Sequence, residues 1–263
     1  MNPQPHSFIV PAYGHSPYLE ACLVSLSRQT VQTPIRICTS TPFDGINELA
    51  AKYDADVVVH HPNQGIGHDW NVALSSSGTS LTTLAHQDDI YAPDFSATKI
   101  DVHRKYPDVA ASFCDSDEIV DDGQKRSFGL NQSVKKALVA SAFIGTNVVK
   151  GVLRRRILFG FGNPVLCAGV TLKLGILPHF SFREDLRTNM DWIAWNDLSR
   201  HHGIARARRP LVIRRVHSGS ETAACIVDGA RLDEDTLVFR QLWPPSIAWL
   251  IGSLYRLSYP GYR

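Results

Sequence analysis

Two adjacent carboxylates stand where a predicted buried strand ends. Residues 79–85 have the apolar character of a strand, and the tetrapeptide His86-Gln87-Asp88-Asp89 follows directly. Neighbouring carboxylates repel each other and need a counter-charge, which a hard divalent cation, Mg²⁺ or Mn²⁺, supplies through oxygen ligands. The alternative is that Asp89 serves the N-terminal region of the next helix. The tetrapeptide by itself leaves both interpretations open.

A turn containing an aromatic residue follows the first predicted strand, residues 7–10. Its sequence is Pro11-Ala12-Tyr13-Gly14, in which Pro11 and Gly14 favour a sharp bend. The bend leaves backbone groups and the Tyr13 ring at the mouth of the predicted sheet. A ring in that position can stack on a flat base, and an ordinary strand-to-helix turn is the alternative.

A glycine-containing loop, residues 63–67, precedes a predicted helix that carries Asn71. Such a loop at a helix N-terminus can approach phosphates. Its sequence, Asn-Gln-Gly-Ile-Gly, matches neither the dinucleotide-binding GxGxxG pattern nor the P-loop. NAD binding and P-loop chemistry are therefore disfavoured.

The elements that must position these residues alternate between strand and helix patterns through the first half of the chain. Strands separated by helices indicate βαβ units and a parallel sheet, and ligands of such sheets lie outside the carboxyl ends of the strands. The predicted strands are 7–10, 35–38, 56–60, 79–85 and 109–114; the predicted helices are 17–29, 47–53, 67–76 and 97–106.

The second half is less regular. The patterns predict a turn at 121–123, a basic helix at 147–159, a strand at 164–174, an amphipathic helix at 192–201 and a strand at 208–216. The last segment, 244–262, would be a helix that is apolar on most faces. Packing against the body of the protein and docking on a membrane surface are both compatible with it.

Composition limits the class of protein. The 263 residues, 44% of them hydrophobic, suit one large domain or a domain with a small appendage. The net charge of +2, without a Lys/Arg block interleaved with aromatics, disfavours an electrostatic nucleic-acid binder. Five scattered cysteines favour buried thiols in a reducing compartment. The polar, proline-rich start of the chain and the lack of a long apolar stretch predict a cytoplasmic location.

Five sequence blocks, taken in order, resemble family 2 glycosyltransferases of the GT-A fold, which are inverting enzymes of bacterial polysaccharide biosynthesis. They span much of residues 7–223. The blocks are FIVPAYGHSPYLEACLVSLSRQT, NQGIGHDWNVAL, LTTLAHQDDIYAPDF, FREDLRTNMDWIAWNDLSRHHG and RRVHSGSETA. The resemblance implies a Rossmann-like, mainly parallel α/β sheet flanked by helices with an irregular acceptor-side second half. It divides the chain into a catalytic domain, 1–223, and a helical C-terminal segment, 224–263. Within the former, 1–115 would bind the nucleotide sugar and 116–223 would hold the acceptor and the catalytic base.

The resemblance also implies donor-side roles. Asp89 would ligate Mn²⁺ or Mg²⁺ directly, and His217 would be a further metal or pyrophosphate contact. A lone histidine is more often structural, but the hydroxyls that follow His217 suit diphosphate oxygens. The implied nucleotide-sugar-binding residues are Pro11, Ala12, Tyr13, Ser40, Asn71, Gln87 and Asp88.

On the acceptor side, the resemblance implies that Asp191 is the general base and that Trp192 lies beside the acceptor. Asp117 follows the predicted strand 109–114, so its carboxylate could line the acceptor site. A solvated loop is the alternative for Asp117.

The chain departs from the family pattern at two positions that usually read the donor base. The Asp expected after the second strand is replaced by Thr39-Ser40-Thr41-Pro42, and the Arg expected before Asn71 is Trp70. Ser40 or Thr41 could still bond a base edge. UDP is therefore favoured only by its frequency in the family, and dTDP and GDP stay open.

The resulting expectation is a metal-dependent transfer of one sugar, with inversion, from a nucleotide-diphosphate sugar to a hydroxyl of a glycan or glycolipid. The destination would be a bacterial surface polysaccharide, with peripheral contact between the enzyme and the inner membrane left open. The alternatives are a sugar nucleotidyltransferase and a non-catalytic, membrane-docked binding protein.

Overall fold

A computed structural model describes residues 5–120, 130–217 and 219–256 of the chain. Within them one mixed sheet runs in the order β3-β2-β1-β4-β8-β6-β9-β5, and β7 pairs with β9. The six longest strands run parallel, and the three short strands β5, β7 and β8 run antiparallel to their neighbours. The strands are β1 His6–Tyr13, β2 Ile35–Thr41, β3 Ala55–Val59, β4 Leu81–Leu84, β5 Ile90–Tyr91, β6 Ala111–Val120, β7 Val148–Val149, β8 Thr171–Lys173 and β9 Ile204–Val216.

Helices cover both faces of the sheet, so the mainly parallel α/β architecture predicted from the sequence is confirmed. Alternate residues of β1 enter different cores: Phe8 and Val10 pack with α1, α2 and α4, whereas Ile9 packs on the side of α3, α5, α6, α7 and α9. The helices are α1 Leu19–Ser27, α2 Ile46–Ala51, α3 Ile66–Ser75, α4 Phe95–Lys105, α5 Leu130–Ala142, α6 Val152–Phe159, α7 Met190–His201, α8 Glu221–Val227, α9 Ala230–Leu242 and α10 Pro245–Tyr255.

The first strand continues through Pro11, where the sequence predicted that it would stop. Its ladder with β4 covers only His6 to Ile9, whereas its ladder with β2 continues to Tyr13. A proline cannot donate a ladder hydrogen bond, and Pro11 lies beyond the β4 ladder. The strand therefore carries Tyr13 further past the sheet than the sequence indicated.

The second half differs more from the prediction. The expected helix 147–159 begins only at Val152, because Val148 and Val149 pair with β9. The expected strand 164–174 is reduced to β8 after a short 3-10 turn, Cys167–Gly169. Helix α5 was not predicted, whereas α9 and α10 lie within the segment 224–263 that was expected to be helical, and α8 begins just before it. The turn predicted at 121–123 lies outside the described residues.

The C-terminal helices pack against the main core. Phe239 of α9 lies 5.3 Å from the Trp192 ring and 5.5 Å from Tyr255 of α10, centroid to centroid. One face of α10 is thus covered. All five cysteines are free and buried, as expected. No helix in the described ranges has the length and apolarity to span a bilayer.

Candidate active site

The carboxyl ends of β1 and β4 are joined by Gln87. The Tyr13 backbone N–H donates to Gln87 Oε1 at 3.2 Å, and Gln87 Nε2 donates to the Tyr13 carbonyl at 3.4 Å. Gly14 N–H donates to Thr41 Oγ1 at 2.7 Å, which ties the end of β2 to the same rim. The Tyr13 side chain remains 66% exposed. The rim therefore presents an aromatic ring on a fixed backbone, while the Gln87 amide is occupied by that backbone.

Asp88, on the same rim, contacts residues from two other segments of the chain. Its Oδ1 accepts the Ser16 hydroxyl at 3.3 Å, and its Oδ2 lies 3.1 Å from His217 Nε2. The His217 ring is 5.0 Å from the Tyr18 ring, over which the Arg215 guanidinium stacks at 4.5 Å. Asp88, His217, Tyr18 and Arg215 thus form one series of side-chain contacts.

Asp89 points the other way. It is 3% exposed, and its Oδ1 accepts the Arg215 backbone N–H at 3.0 Å. Burial raises the pKa of this carboxyl to about 7, although the Arg215 N–H and the charge of Arg214 oppose the rise. The expected direct metal ligand is therefore engaged with β9, and its neighbour Asp88 has the outward position.

The rim that follows β4 offers few protein ligands for a divalent ion. In the parts of the chain that the structure describes, three or more His, Cys, Asp or Glu side chains converge nowhere in a way that could hold a metal. Mg²⁺ and similar ions are commonly held by one or two carboxylates together with substrate phosphates and water. Asp88 and His217, 3.1 Å apart, fit such a shared site.

Asp191 lies in the first turn of α7 and is half buried. Its Oδ2 accepts Asn163 Nδ2 at 3.0 Å, and its Oδ1 accepts the Trp192 backbone N–H at 2.7 Å. Burial raises the pKa of Asp191 to about 6, and the nearby charge of Arg231 limits that rise. A carboxylate with a pKa close to neutrality is suited to accept a proton.

Asp89 and Asp191 border one region of the protein. The Cys167 thiol, on the 3-10 turn, has a pKa raised well above its usual range by burial, then by the charge of Asp191 and then by that of Asp89. Both carboxylates are therefore within electrostatic range of this buried thiol.

A carboxylate on α9, Glu234, holds the turn that leads to Asp191. Its Oε2 accepts the backbone N–H groups of Thr188 and Asn189 at 2.9 and 2.8 Å and the Thr188 hydroxyl at 2.7 Å. Its Oε1 accepts the Arg187 N–H at 2.6 Å. Glu234 is buried, so these four bonds fix the backbone just before the candidate base.

Sequence reasoning missed Glu234 entirely. The α9 sequence Ala-Arg-Leu-Asp-Glu-Asp reads as a charged surface helix. The only available signal is the adjacency of three acidic residues, Asp233, Glu234 and Asp235, and nothing in it distinguishes the buried members.

Two expected site residues have structural partners. Trp192 is 0% exposed and donates its indole N–H to the Phe159 carbonyl at 3.1 Å, so it belongs to the core and does not line an acceptor site. Asn71 uses both ends of its amide on Phe182: its Nδ2 donates to the carbonyl at 2.9 Å, and its Oδ1 accepts the N–H at 2.7 Å. Asn71 therefore joins α3 to the segment before α7.

Ser40 and Asp117 complete the predicted set. Ser40, at the end of β2, is buried and donates to Asp69 Oδ2 at 2.7 Å. A carboxylate from α3 thus reaches the place after the second strand where the expected Asp is absent. Asp117 is half buried on β6, where its backbone pairs with β9, and its side chain has no hydrogen bond or ion pair with any described residue. Pro11 is half buried and Ala12 buried, both in β1.

Trp70, which replaces the expected Arg, packs with its ring centroid 5.2 Å from His86. Burial lowers the pKa of His86 to about 4, so this imidazole is neutral near pH 7. A neutral aromatic pair therefore occupies the position beneath the rim where a cation was expected.

Comparison with known proteins extends the fold assignment. No protein-family model and no curated sequence matches the chain. Among solved structures, residues 1–349 of S. aureus TarS in complex with UDP-GlcNAc are similar, with a TM-score of 0.68 and 14% identity over 96% of this chain and 71% of that one. The mannosyltransferase PcManGT from Pyrobaculum calidifontis, in complex with GDP-Man and Mn²⁺, has a TM-score of 0.62 and 15% identity over 98% of this chain and 71% of that one. At these identities the likeness shows a shared fold.

Proposed function

We propose that this protein is an inverting GT-A glycosyltransferase that moves one sugar from a nucleotide-diphosphate sugar to a hydroxyl of a glycan or glycolipid acceptor. The observation that carries the proposal is the approach of Asp88 Oδ2 to His217 Nε2, at 3.1 Å, on the rim that follows β4. A group for diphosphate and a group for proton abstraction are both present. Two solved proteins of this fold are described with nucleotide sugars.

On the donor side, the exposed Tyr13 ring would stack on the base. Asp88 and His217 would hold Mn²⁺ or Mg²⁺ together with the diphosphate; a bound divalent ion offsets charge on a leaving diphosphate. This assigns to Asp88 the direct metal contact that the family resemblance implied for Asp89. Asp89 then positions β9, and through it His217, by accepting the Arg215 N–H.

On the acceptor side, Asp191 would remove the proton from the attacking hydroxyl. Asn163 and the Trp192 N–H orient its two oxygens, and the turn clamped by Glu234 fixes the backbone before it. A single base acting on the acceptor suits direct displacement, in which attack opposite the leaving group inverts the anomeric centre. The Asp117 carboxylate, which has no side-chain partner among the described residues, is a further candidate for binding an acceptor hydroxyl.

A nucleotide panel provides the test. UDP-, dTDP- and GDP-sugars, each with and without Mn²⁺, would be compared by the thermal shift they give, followed by detection of sugar transfer or hydrolysis. The donor with the preferred nucleobase should raise the melting temperature only when Mn²⁺ is present, and we expect that donor to be a UDP-sugar. No shift with any donor under either condition would contradict the proposal. Release of pyrophosphate from an NTP and a sugar phosphate would support the nucleotidyltransferase alternative.

We further propose that residues 1–223 form the catalytic domain, that α9 stabilises it, and that the enzyme acts at the cytoplasmic face of the inner membrane in surface polysaccharide synthesis. The identity of the acceptor within that class follows from the same transfer assay, run with lipid-linked and soluble glycans.

A further inference from the structure

The exposed apolar side chains of this protein are concentrated in two segments, 132–163 and 244–256, called here the basic apolar surface. Fourteen large hydrophobic side chains are exposed in the described residues, and nine of them belong to these two segments. The nine are Val134, Ile144, Val152, Leu153, Phe161, Ile247, Trp249, Leu250 and Leu254.

The same two segments carry positive charge only. They contain no Asp or Glu, although the whole chain has 25 acidic residues against 27 basic ones. All 25 acidic residues therefore lie outside these two segments. The cations are Lys135, Lys136, Lys150, Arg154, Arg155, Arg156 and Arg256; Arg155 is buried.

Side-chain contacts make the basic apolar surface continuous. Arg154 Nη1 donates to the Ala142 and Ile144 carbonyls at 2.8 and 2.9 Å, which joins the end of α5 to α6. The Arg156 guanidinium lies 5.6 Å from the Trp243 ring, and the Phe161 ring lies 5.5 Å from it. The surface therefore extends from α5 through α6 to the start of α10.

Helix α10 is apolar on both sides but covered on one. Ala248 is buried, and Ile251 and Tyr255 pack with it against the core. On the outer side Trp249 is 72% exposed and Leu254 60%. The helix has no charged residue before Arg256. Large apolar side chains on an exposed helix, flanked by cations, are typical of interfacial helices.

The basic apolar surface borders the candidate base. Asn163, its last residue in the first segment, donates to Asp191 Oδ2 at 3.0 Å. Gly162 lies against the Tyr255 ring, where an added Cβ would come within 3.0 Å. The exposed Phe161 is thus two residues from a contact of Asp191.

We propose that the basic apolar surface docks on an anionic lipid bilayer, with the outer side of α10 inserted among the headgroups and the cations facing lipid phosphates. Anionic lipid is favoured over a protein partner or a second copy because the two segments contain seven cations and no acidic residue. Trp249 is suited to the interface between headgroups and acyl chains, and lysine and arginine stems can lie along the apolar surface with their charges in water. The inference deepens the inner-membrane location put forward in the proposed function and rests on it for that location, although docking itself needs no catalytic residue.

The test is vesicle co-sedimentation of the full chain. Vesicles of phosphatidylcholine with about 30% phosphatidylglycerol are compared with pure phosphatidylcholine vesicles, because the electrostatic attraction requires anionic lipid. The variant W249S/L250S/L254S removes exposed apolar area, and K150Q/R256Q removes exposed charge. The matched control V31S/V227S changes two exposed side chains outside the surface.

The wild type and the control should bind anionic vesicles, with weaker binding to neutral vesicles and at high salt. The partition coefficient onto anionic vesicles should be about tenfold lower for each of the two surface variants than for the wild type. Failure of the wild type to bind, or equal binding by all variants, overturns the proposal. The proposal is also overturned if the wild type does not bind vesicles but forms a concentration-dependent dimer that the variant W249S/L250S/L254S abolishes. Thermal shift with donor nucleotides, run on every variant, separates this outcome from a failure of the proposed function.

Discussion

Asp88 and His217 are 129 residues apart in the chain, and their Oδ2 and Nε2 atoms lie 3.1 Å apart. The pair joins the end of β4 to the segment after β9. The two adjacent acids have different hydrogen-bond partners. Asp88 contacts the His217 side chain, whereas Asp89 accepts a backbone N–H of β9. Two substitutions of similar chemistry should therefore have different consequences.

Asp88→Asn should weaken Mn²⁺-dependent donor binding by about tenfold or more, because a carboxamide carries no negative charge for a hard cation. Asp89→Asn should keep the metal dependence, since its carboxamide oxygen can still accept the Arg215 N–H. Calorimetric titration of the preferred nucleotide with and without Mn²⁺ measures both. Asp101→Asn, on the exposed side of α4, is the control. The opposite ranking of the two variants would return the metal to Asp89.

Asp191→Asn should lower kcat by roughly 10²–10⁴-fold and leave donor binding unchanged, because a positioned base acts on the acceptor only. The base must be ionised, and its pKa is about 6. Wild-type kcat should therefore rise with pH through that value and level off above it. Asp197→Asn, an exposed residue on the same helix, should behave as wild type. Near-normal turnover by the Asp191 variant would remove it from the mechanism.

Glu234→Gln should impair catalysis from outside the reacting centre. Its amide NH₂ cannot accept, so at least one N–H or hydroxyl among the Thr188 and Asn189 donors or the Arg187 N–H is left unpaired, at a cost of about 1–3 kcal/mol in unfolding free energy. We expect a roughly tenfold lower kcat and an unchanged donor KM. The acid limb of the kcat–pH profile, which reports the titration of Asp191, should lie at a different pH from that of the wild type.

The neighbouring exposed residue provides the control for Glu234. Asp233→Asn should change neither stability nor the pH profile. A Glu234 variant that is less stable but has the wild-type kcat and acid limb would show that the clamp is structural and does not position Asp191.

Acid should destabilise the fold through His103. Burial lowers the pKa of His103 to about 4 from 6.5, so the folded state disfavours its protonation. The stabilisation is present above pH 6.5 and is lost as the pH falls to about 4, which amounts to about 3 kcal/mol. Denaturant unfolding of His103→Gln between these pH values should give a shallower pH dependence than the wild type. An unchanged slope, matching that of the exposed-site control His15→Gln, would contradict this cause.

The strand and helix pattern of residues 7–114 was predictable because each element has its own periodicity. Apolar runs such as 56–60 need no distant information to indicate a strand, although β3 lies at the end of the strand order and is only half buried. The same locality explains the errors. Val148 and Val149 resemble the start of a helix, but β9 provides a ladder that the sequence around them does not announce. Pro11 resembles a strand end, but the β4 ladder has already finished there.

The sequence by itself determined which segments carry the acids: Asp88 and Asp89 after a strand, and Asp191 at a helix start. Only the tertiary structure decided which acid faces outward, that Trp192 and Asn71 serve packing, and that Glu234 clamps the turn before Asp191. The physical reason is that backbone periodicity is fixed by neighbouring residues, whereas burial and hydrogen-bond partners depend on groups that are 33 to 129 residues away.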